Sequence, residues 1–400
     1  MILSIKLLGI FAIIIIMLYK KVKLGYVMLI AAFVTAIIFD VGISSIINVL
    51  TRTFLDRDTN EIIVLLVLIM SLEKVMSNRQ LMSKMIISLK NAVGDYRITS
   101  LILPAIIGVL PSVGGAIFSA PMVDEVCSEG IVENENKSFI NYWYRHVWEY
   151  VSPICAGLVF ASAVLHIKVE KLISLFYPYT ILSIIVGIPL AFYHFPKGNS
   201  SRSKDVLKNL IGFMFNSYPI IFILMLFFIF KVDIVITILM VLISLLIIEK
   251  VSISEFWDIV RKDGNLSTIG AVIGVILLKN MLVESKVIEQ MTLLFNSIGI
   301  GNLYIAVFLP LIIGIITGMM SATIGMTFPI VMNLGGSIDF NLITIAYVSS
   351  VAGTMISPMH ICLVLTTEYF RASINKVMLR VATGQIFIII CSIIVFLIFT

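Results

Sequence analysis

Charge is what this chain has least of. Asp, Glu, Lys and Arg make up 13% of its 400 residues, about half the share of a soluble globular protein. Too few ionic groups are present to cover a water-facing surface, so a soluble domain is excluded. Cysteine is scarce as well. Cys127, Cys155, Cys362 and Cys391 show no paired spacing. That argues against a disulfide framework or a zinc site and leaves all four as small apolar fillers. Catalytic signatures are missing: there is no His-Glu-x-x-His, no phosphate-cradling loop and no Cys-x-x-Cys. Ser119 lacks a Gly-x-Ser-x-Gly elbow, which keeps an intramembrane hydrolase as a remote alternative and makes "not an enzyme" the expectation. No cofactor is called for. The net charge of +5 is spread over loops and not gathered in one patch, so nucleic acid is not an expected partner.

What fills the chain instead is hydrocarbon: 60% of residues are hydrophobic and the mean hydropathy is +1.11. Runs of this length read as membrane helices, because lipid tolerates no unpaired backbone. The expected class is an all-α polytopic membrane protein in the cell membrane, with the bilayer as its main partner. Met1–Tyr19 has no small-residue cleavage site and is read as a mature helix.

Proline and glycine organise the rest. The run from Leu103 to Pro121 is apolar, yet contains Pro104, Pro111, Gly114-Gly115 and Pro121. The flanking stubs are too short to cross ~30 Å of hydrocarbon. A re-entrant hairpin is expected at about 98–126. Leu309-Pro310-Leu311-Ile312-Ile313-Gly314 repeats the start of this text, and a second hairpin is expected at about 302–334. Pro329 matches Pro121, and Ser357-Pro358 matches Ser152-Pro153. We read two copies of one unit: 1–195, a polar linker 196–208, and 209–400. Each copy holds five transmembrane helices plus one re-entrant hairpin. Polar loops are expected at Thr51–Asn60 and Glu249–Ser267, and amphipathic arms at Asn78–Tyr96 and Ser285–Ser297. Five crossings is an odd number, so the second copy enters upside down. With both termini outside, 20 of the 28 basic residues fall on the inner side, as the positive-inside rule asks.

Candidate site residues follow from the interruptions. Ser is a good N-cap and Pro suits the first helical position. Ser152-Pro153 and Ser357-Pro358 therefore read as starts of half-helices inside apolar spans, whose buried N-termini suit an anion such as a carboxylate. The alternative is a proline kink in an ordinary span. Pro111, Pro121, Pro153, Pro329 and Pro358 are the expected helix breaks. At the hairpin tips, Ser112, Gly114, Gly115, Thr323 and Gly325 join Ser152 and Ser357 as candidate substrate contacts; packing by small residues is the competing reading. Arg145 and Glu149 are four apart and share a helical face with Ser152. An Arg–Glu pair inside the membrane is costly and usually functional. Arg145 can equally snorkel to the interface. His360, two residues past the second Ser-Pro, is a candidate titrating group.

The runs Leu110 to Pro121, Asn141 to Tyr150 and Ser357 to Leu363 resemble an uncharacterised prokaryotic integral-membrane family, domain of unknown function 401, over nearly the whole chain. That family is similar to the ion transporter superfamily of di- and tricarboxylate, gluconate and lactate carriers and sodium–proton antiporters. The resemblance implies inverted repeats, re-entrant hairpins, a homodimer and elevator-like movement. Members carrying dicarboxylates with sodium use Ser-Asn-Thr motifs at the hairpin tips; this chain has Ser112-Val113-Gly114 and Ser321-Ala322-Thr323 there. The expected function is secondary transport of a small organic anion coupled to H⁺ or Na⁺. A cation–proton antiporter titrating at Glu149 and His360 is the alternative.

Overall fold

The computed structural model describes residues 2–399 apart from 21, 82–83, 86, 89–95, 110–115, 128–131, 193–194, 196–204, 263–264, 288–289, 291–300 and 335–337. Among the described residues every regular element is a helix. The first half runs α1 (Ile2–Tyr19), α2 (Leu24–Ile38), α3 (Ile43–Leu55), α4 (Arg57–Asn78), α5 (Tyr96–Gly108), α6 (Ala116–Cys127), α7 (Asn134–Arg145), α8 (Ala156–Leu165) and α9 (Val169–Phe192). The second half runs α10 (Val206–Asn216), α11 (Tyr218–Leu224), α12 (Ile234–Ile248), α13 (Ile253–Lys262), α14 (Asn265–Glu284), α15 (Asn302–Thr317), α16 (Met320–Val331), α17 (Phe340–Ile356), α18 (Ile361–Tyr369) and α19 (Ile374–Phe399).

Among the described residues, three stretches are long and apolar enough to cross a membrane. They are α9, α19 and the α17–α18 pair taken through its break. The pair α10 and α11, bent by 67° at Ser217, makes up to four. The bent pair continues into a π-helical turn at Met225–Ile229. Other apolar helices, including α2, α5, α8, α12, α15 and α16, are shorter. α6 and α16 have 12 residues each, about 18 Å at 1.5 Å per residue, well below the hydrocarbon thickness. Such short pieces are tolerated only where protein surrounds their open ends.

Several local expectations change. A single span over Leu24–Ile47 is instead α2 and α3, because Asp40 takes a left-handed backbone (φ 52°) between them. The loops expected at Thr51–Asn60 and Glu249–Ser267 are largely helical. Asp56 caps α4 by accepting from Thr59 N at 2.8 Å. α13 is tied to the end of α4 by Arg79 Nη2 and Glu255 Oε2 at 2.9 Å. Pro121 and Pro329 were expected to break helices; they lie inside α6 and α16. Proline removes one backbone hydrogen bond, and packed neighbours in a membrane protein hold the rest of the helix together. Most of the two amphipathic arms lies outside the described residues.

Packing crosses between the halves. α2 lies along α14, and α4 along α12. α6 packs on α18, and α16 on α8. Within each half α5 packs on α7 and α15 on α17. The core between them is large, with Tyr142, Trp143, Tyr150, Phe176, Phe328 and Tyr347 fully buried.

Candidate functional site

Two interruptions meet in this core. The first follows α7. The chain makes a 3₁₀ turn at Val147–Tyr150, runs irregularly through Val151–Cys155, and starts α8. The second follows α17 at Ser357 and lasts only to His360, which stands at the start of α18. Neither serine caps the following helix, as the sequence had suggested. Cys155 and His360 occupy the two N-cap positions, without a side-chain capping bond. Both hydroxyls donate backwards instead, and Ser357 Oγ also accepts from Met359 N at 3.1 Å. Ser357 Oγ donates to Ile315 O at 2.6 Å, and Ser152 Oγ to Val109 O at 3.4 Å. Each hydroxyl thus serves a carbonyl in the last turn of the preceding hairpin arm, or just past it, where helix ends leave acceptors unpaired.

The second hairpin tip presses directly on the second break. Gly318 has φ +63°, and a Cβ there would lie 2.8 Å from the Met359 carbonyl carbon and 3.0 Å from Ser357 Oγ. Only glycine meets both the left-handed backbone and the close approach. This contact delivers Gly318 O to His360, whose Nδ1 lies 2.9 Å away. From the first half, His146 ends α7 and places its Nδ1 2.7 Å from Tyr142 O. The two free ring nitrogens then face each other: His146 Nε2 and His360 Nε2 are 3.2 Å apart, though 214 residues separate them in sequence. Cys362 Sγ, in the first turn of α18, is within hydrogen-bond reach of both rings.

A carboxylate completes the centre. Glu149 Oε2 accepts from Cys155 Sγ at 2.8 Å, and Glu149 O accepts from the buried Tyr347 hydroxyl at 2.7 Å. Glu149 and Arg145 were expected on one helical face; α7 stops at Arg145 and Glu149 sits on the 3₁₀ turn, so no common face exists. Both still act here: Glu149 interacts electrostatically with His360, and Arg145 with Cys362 and with Glu73 of α4.

The remaining candidates separate clearly. Pro111, Ser112, Gly114 and Gly115 lie outside the described residues. Thr323 is buried at the second tip, donating to Met319 O at 2.9 Å with Thr317 Oγ1 at 3.2 Å. Gly325 is one step removed: a Cβ there would meet Val275 Cγ2 at 2.7 Å, so its smallness serves packing against α14. Pro153 is buried in the first break and Pro358 exposed in the second. Three groups of the centre were not singled out from sequence: His146, Cys155 and Cys362. The available signal was position, since each cysteine follows a Ser-Pro pair by a few residues.

An open cleft of about 420 Å³ lies apart from this centre, lined by Arg52, Asp56, His166, Asn280 and Glu284 among others. Burial alone would raise the Asp56 carboxyl, but its two hydrogen bonds from Thr59 outweigh that and hold it below the usual carboxylate range. It is engaged as a helix cap and not as a free acid.

No curated protein matches the chain. The family described as a protein of unknown function, DUF401, matches residues 3–399, and the chain belongs to that family.

Proposed function

We propose that the chain is a secondary active transporter of a small organic anion, a carboxylate, coupled to H⁺ or Na⁺ and working by elevator-type alternating access. One observation carries this reading. Two interruptions from opposite halves of an apolar protein bring His146 and His360 to 3.2 Å, with Glu149 on the adjoining turn within electrostatic range of His360 and Arg145 within that of Cys362. Charged groups inside a bilayer cost roughly 2.5–3.5 kcal/mol each on insertion scales, so their retention in an apolar core favours a functional role. The starts of α8 and α18 add the partial positive charge of two helix N-termini, and Arg145 adds a full one. An anion of modest size suits that field.

The architecture belonging to this reading is an inverted repeat of five transmembrane helices plus one re-entrant hairpin per half, with both termini outside and a homodimeric assembly. Its support is the recurrence of contacts: α2–α14 corresponds to α12–α4, and α6–α18 to α16–α8. The hairpins α5–α6 and α15–α16 would form the tips of the transport site.

Purified protein in liposomes, given labelled di- and tricarboxylates, gluconate or lactate under an inward H⁺ or Na⁺ gradient, tests the reading. The expected result is gradient-dependent accumulation of at least one anion. Accumulation of none rejects it. The Glu149 carboxylate beside the histidine pair favours a second reading, a cation–proton antiporter. Proton efflux on adding Na⁺ without any anion uptake would establish that instead.

A further inference from the structure

We propose that His146, His360 and Cys362 form a binding site for one divalent d-block cation of the Zn²⁺ class. The inference goes beyond the transport reading and does not depend on it.

The starting point is which nitrogen carries the proton. Tyr142 O and Gly318 O can only accept, so each Nδ1, at 2.7 and 2.9 Å, must be the donor. In the neutral rings both Nε2 atoms then bear lone pairs. They face each other at 3.2 Å. Two lone pairs at that distance repel unless a proton or a metal cation lies between or beside them. The Cys362 thiol has a single proton and can satisfy one ring only.

A metal ion satisfies all three groups together. Two imidazole nitrogens bound to zinc at ~2.0–2.1 Å with tetrahedral angles sit about 3.3 Å apart, against 3.2 Å here. The three ligand atoms, His146 and His360 ring nitrogens and Cys362 Sγ, lie within 4.8 Å of one another. Imidazole and thiolate are the ligand types that select zinc-like ions over Mg²⁺ or Ca²⁺. The outer shell has the pattern of a metal site too, because ligating histidines donate their second N–H to a carbonyl or carboxylate, which fixes the tautomer. On binding, the S–H bond of Cys362 breaks as the sulfur–metal bond forms, and its proton leaves to solvent. Three protein ligands leave a fourth position for water or another ligand.

The test uses the full chain, purified in detergent, stripped with chelator, incubated with Zn²⁺ or Co²⁺ and desalted. Elemental analysis is expected to find about one ion per chain. The Co²⁺ form is expected to show a thiolate-to-cobalt charge-transfer band that Cys362→Ser abolishes. His146→Gln, His360→Gln and Cys362→Ser should each weaken retention at least about 100-fold, the upper end of what outer-shell changes cost. Cys391→Ser should leave it unchanged. Elution profile and helical circular dichroism check folding; where a histidine variant fails them, Cys362→Ser, which changes one atom, decides. No retained metal, or retention indifferent to any folded variant of the three, overturns the site. A chain that retains no Zn²⁺ yet accumulates a carboxylate removes the metal site alone; one that binds Zn²⁺ and moves no anion removes the transport reading alone.

Discussion

The first interruption takes residues 146–155 to pass from α7 to α8, and the second takes only 357–360 to pass from α17 to α18. The extra length holds a 3₁₀ turn, with His146 before it, Glu149 on it and Cys155 after it. The shorter break places its polar groups, His360 and Cys362, at and beyond the helix start. Similar backbone plans thus hold different chemistry. One break brings an acid and an imidazole, and the other an imidazole and a thiol within reach of both rings. Neither half has a complete centre without the other.

Four sets of substitutions can break or sharpen this contrast. The largest effect is expected for Gly318→Ala, which touches the second break only. A left-handed non-glycine residue costs ~1–3 kcal/mol, and the crowding against Met359 adds a comparable overpacking term. A loss of about 2–4 kcal/mol should appear as a lowered thermal midpoint in detergent; an unchanged midpoint means that the hairpin tip does not bear on the break. Next comes His360→Ala. Losing the ring's hydrogen bond and leaving the Gly318 carbonyl buried without it, ~1–3 kcal/mol, should cut gradient-driven uptake about 5- to 150-fold. His146→Ala should match it, and the double variant should lose no more than either single one. Additive losses would separate the two rings into independent sites.

Ser357→Ala removes a 2.6 Å bond from a fully buried hydroxyl and should cost about 1–2 kcal/mol. Ser152→Ala removes one of 3.4 Å and should stay within a few tenths. Equal costs in parallel melts would erase the difference between the breaks. The smallest effect concerns the helices leading in. Asp339 caps α17, accepting from Asn341 N at 2.8 Å, whereas Glu133 stands before α7 with no capping bond. Asp339→Ala should cost about 1 kcal/mol, and Glu133→Ala should leave the midpoint in place.

Much of the plan was legible in the chain itself. Paired prolines and glycines at offsets near 206 fall in the two packed helix pairs α5–α6 and α15–α16, and Ser-Pro marked both breaks. Local rules then went wrong where tertiary contact overrode them. Ser before Pro is a good cap in isolation, yet both serines turn back to carbonyls of hairpin arms that only the folded chain brings near. Pro121 and Pro329 read as breakers, but surrounding helices sustain α6 and α16 through them. Cys362 looked inert because spacing along the chain says nothing about a ring brought in from the other half. His146 was hidden for the same reason: its partner comes from the other half.

The crossed packing has a mechanical consequence. Because α6 leans on α18 and α16 on α8, each hairpin is clamped to the helix that follows the other half's break. Neither can swing open alone like a flap; displacing one drags the opposite arm with it. In the proposed transporter, a rearrangement that exposes the histidine pair to one side of the bilayer would shift this interlocked block as one piece.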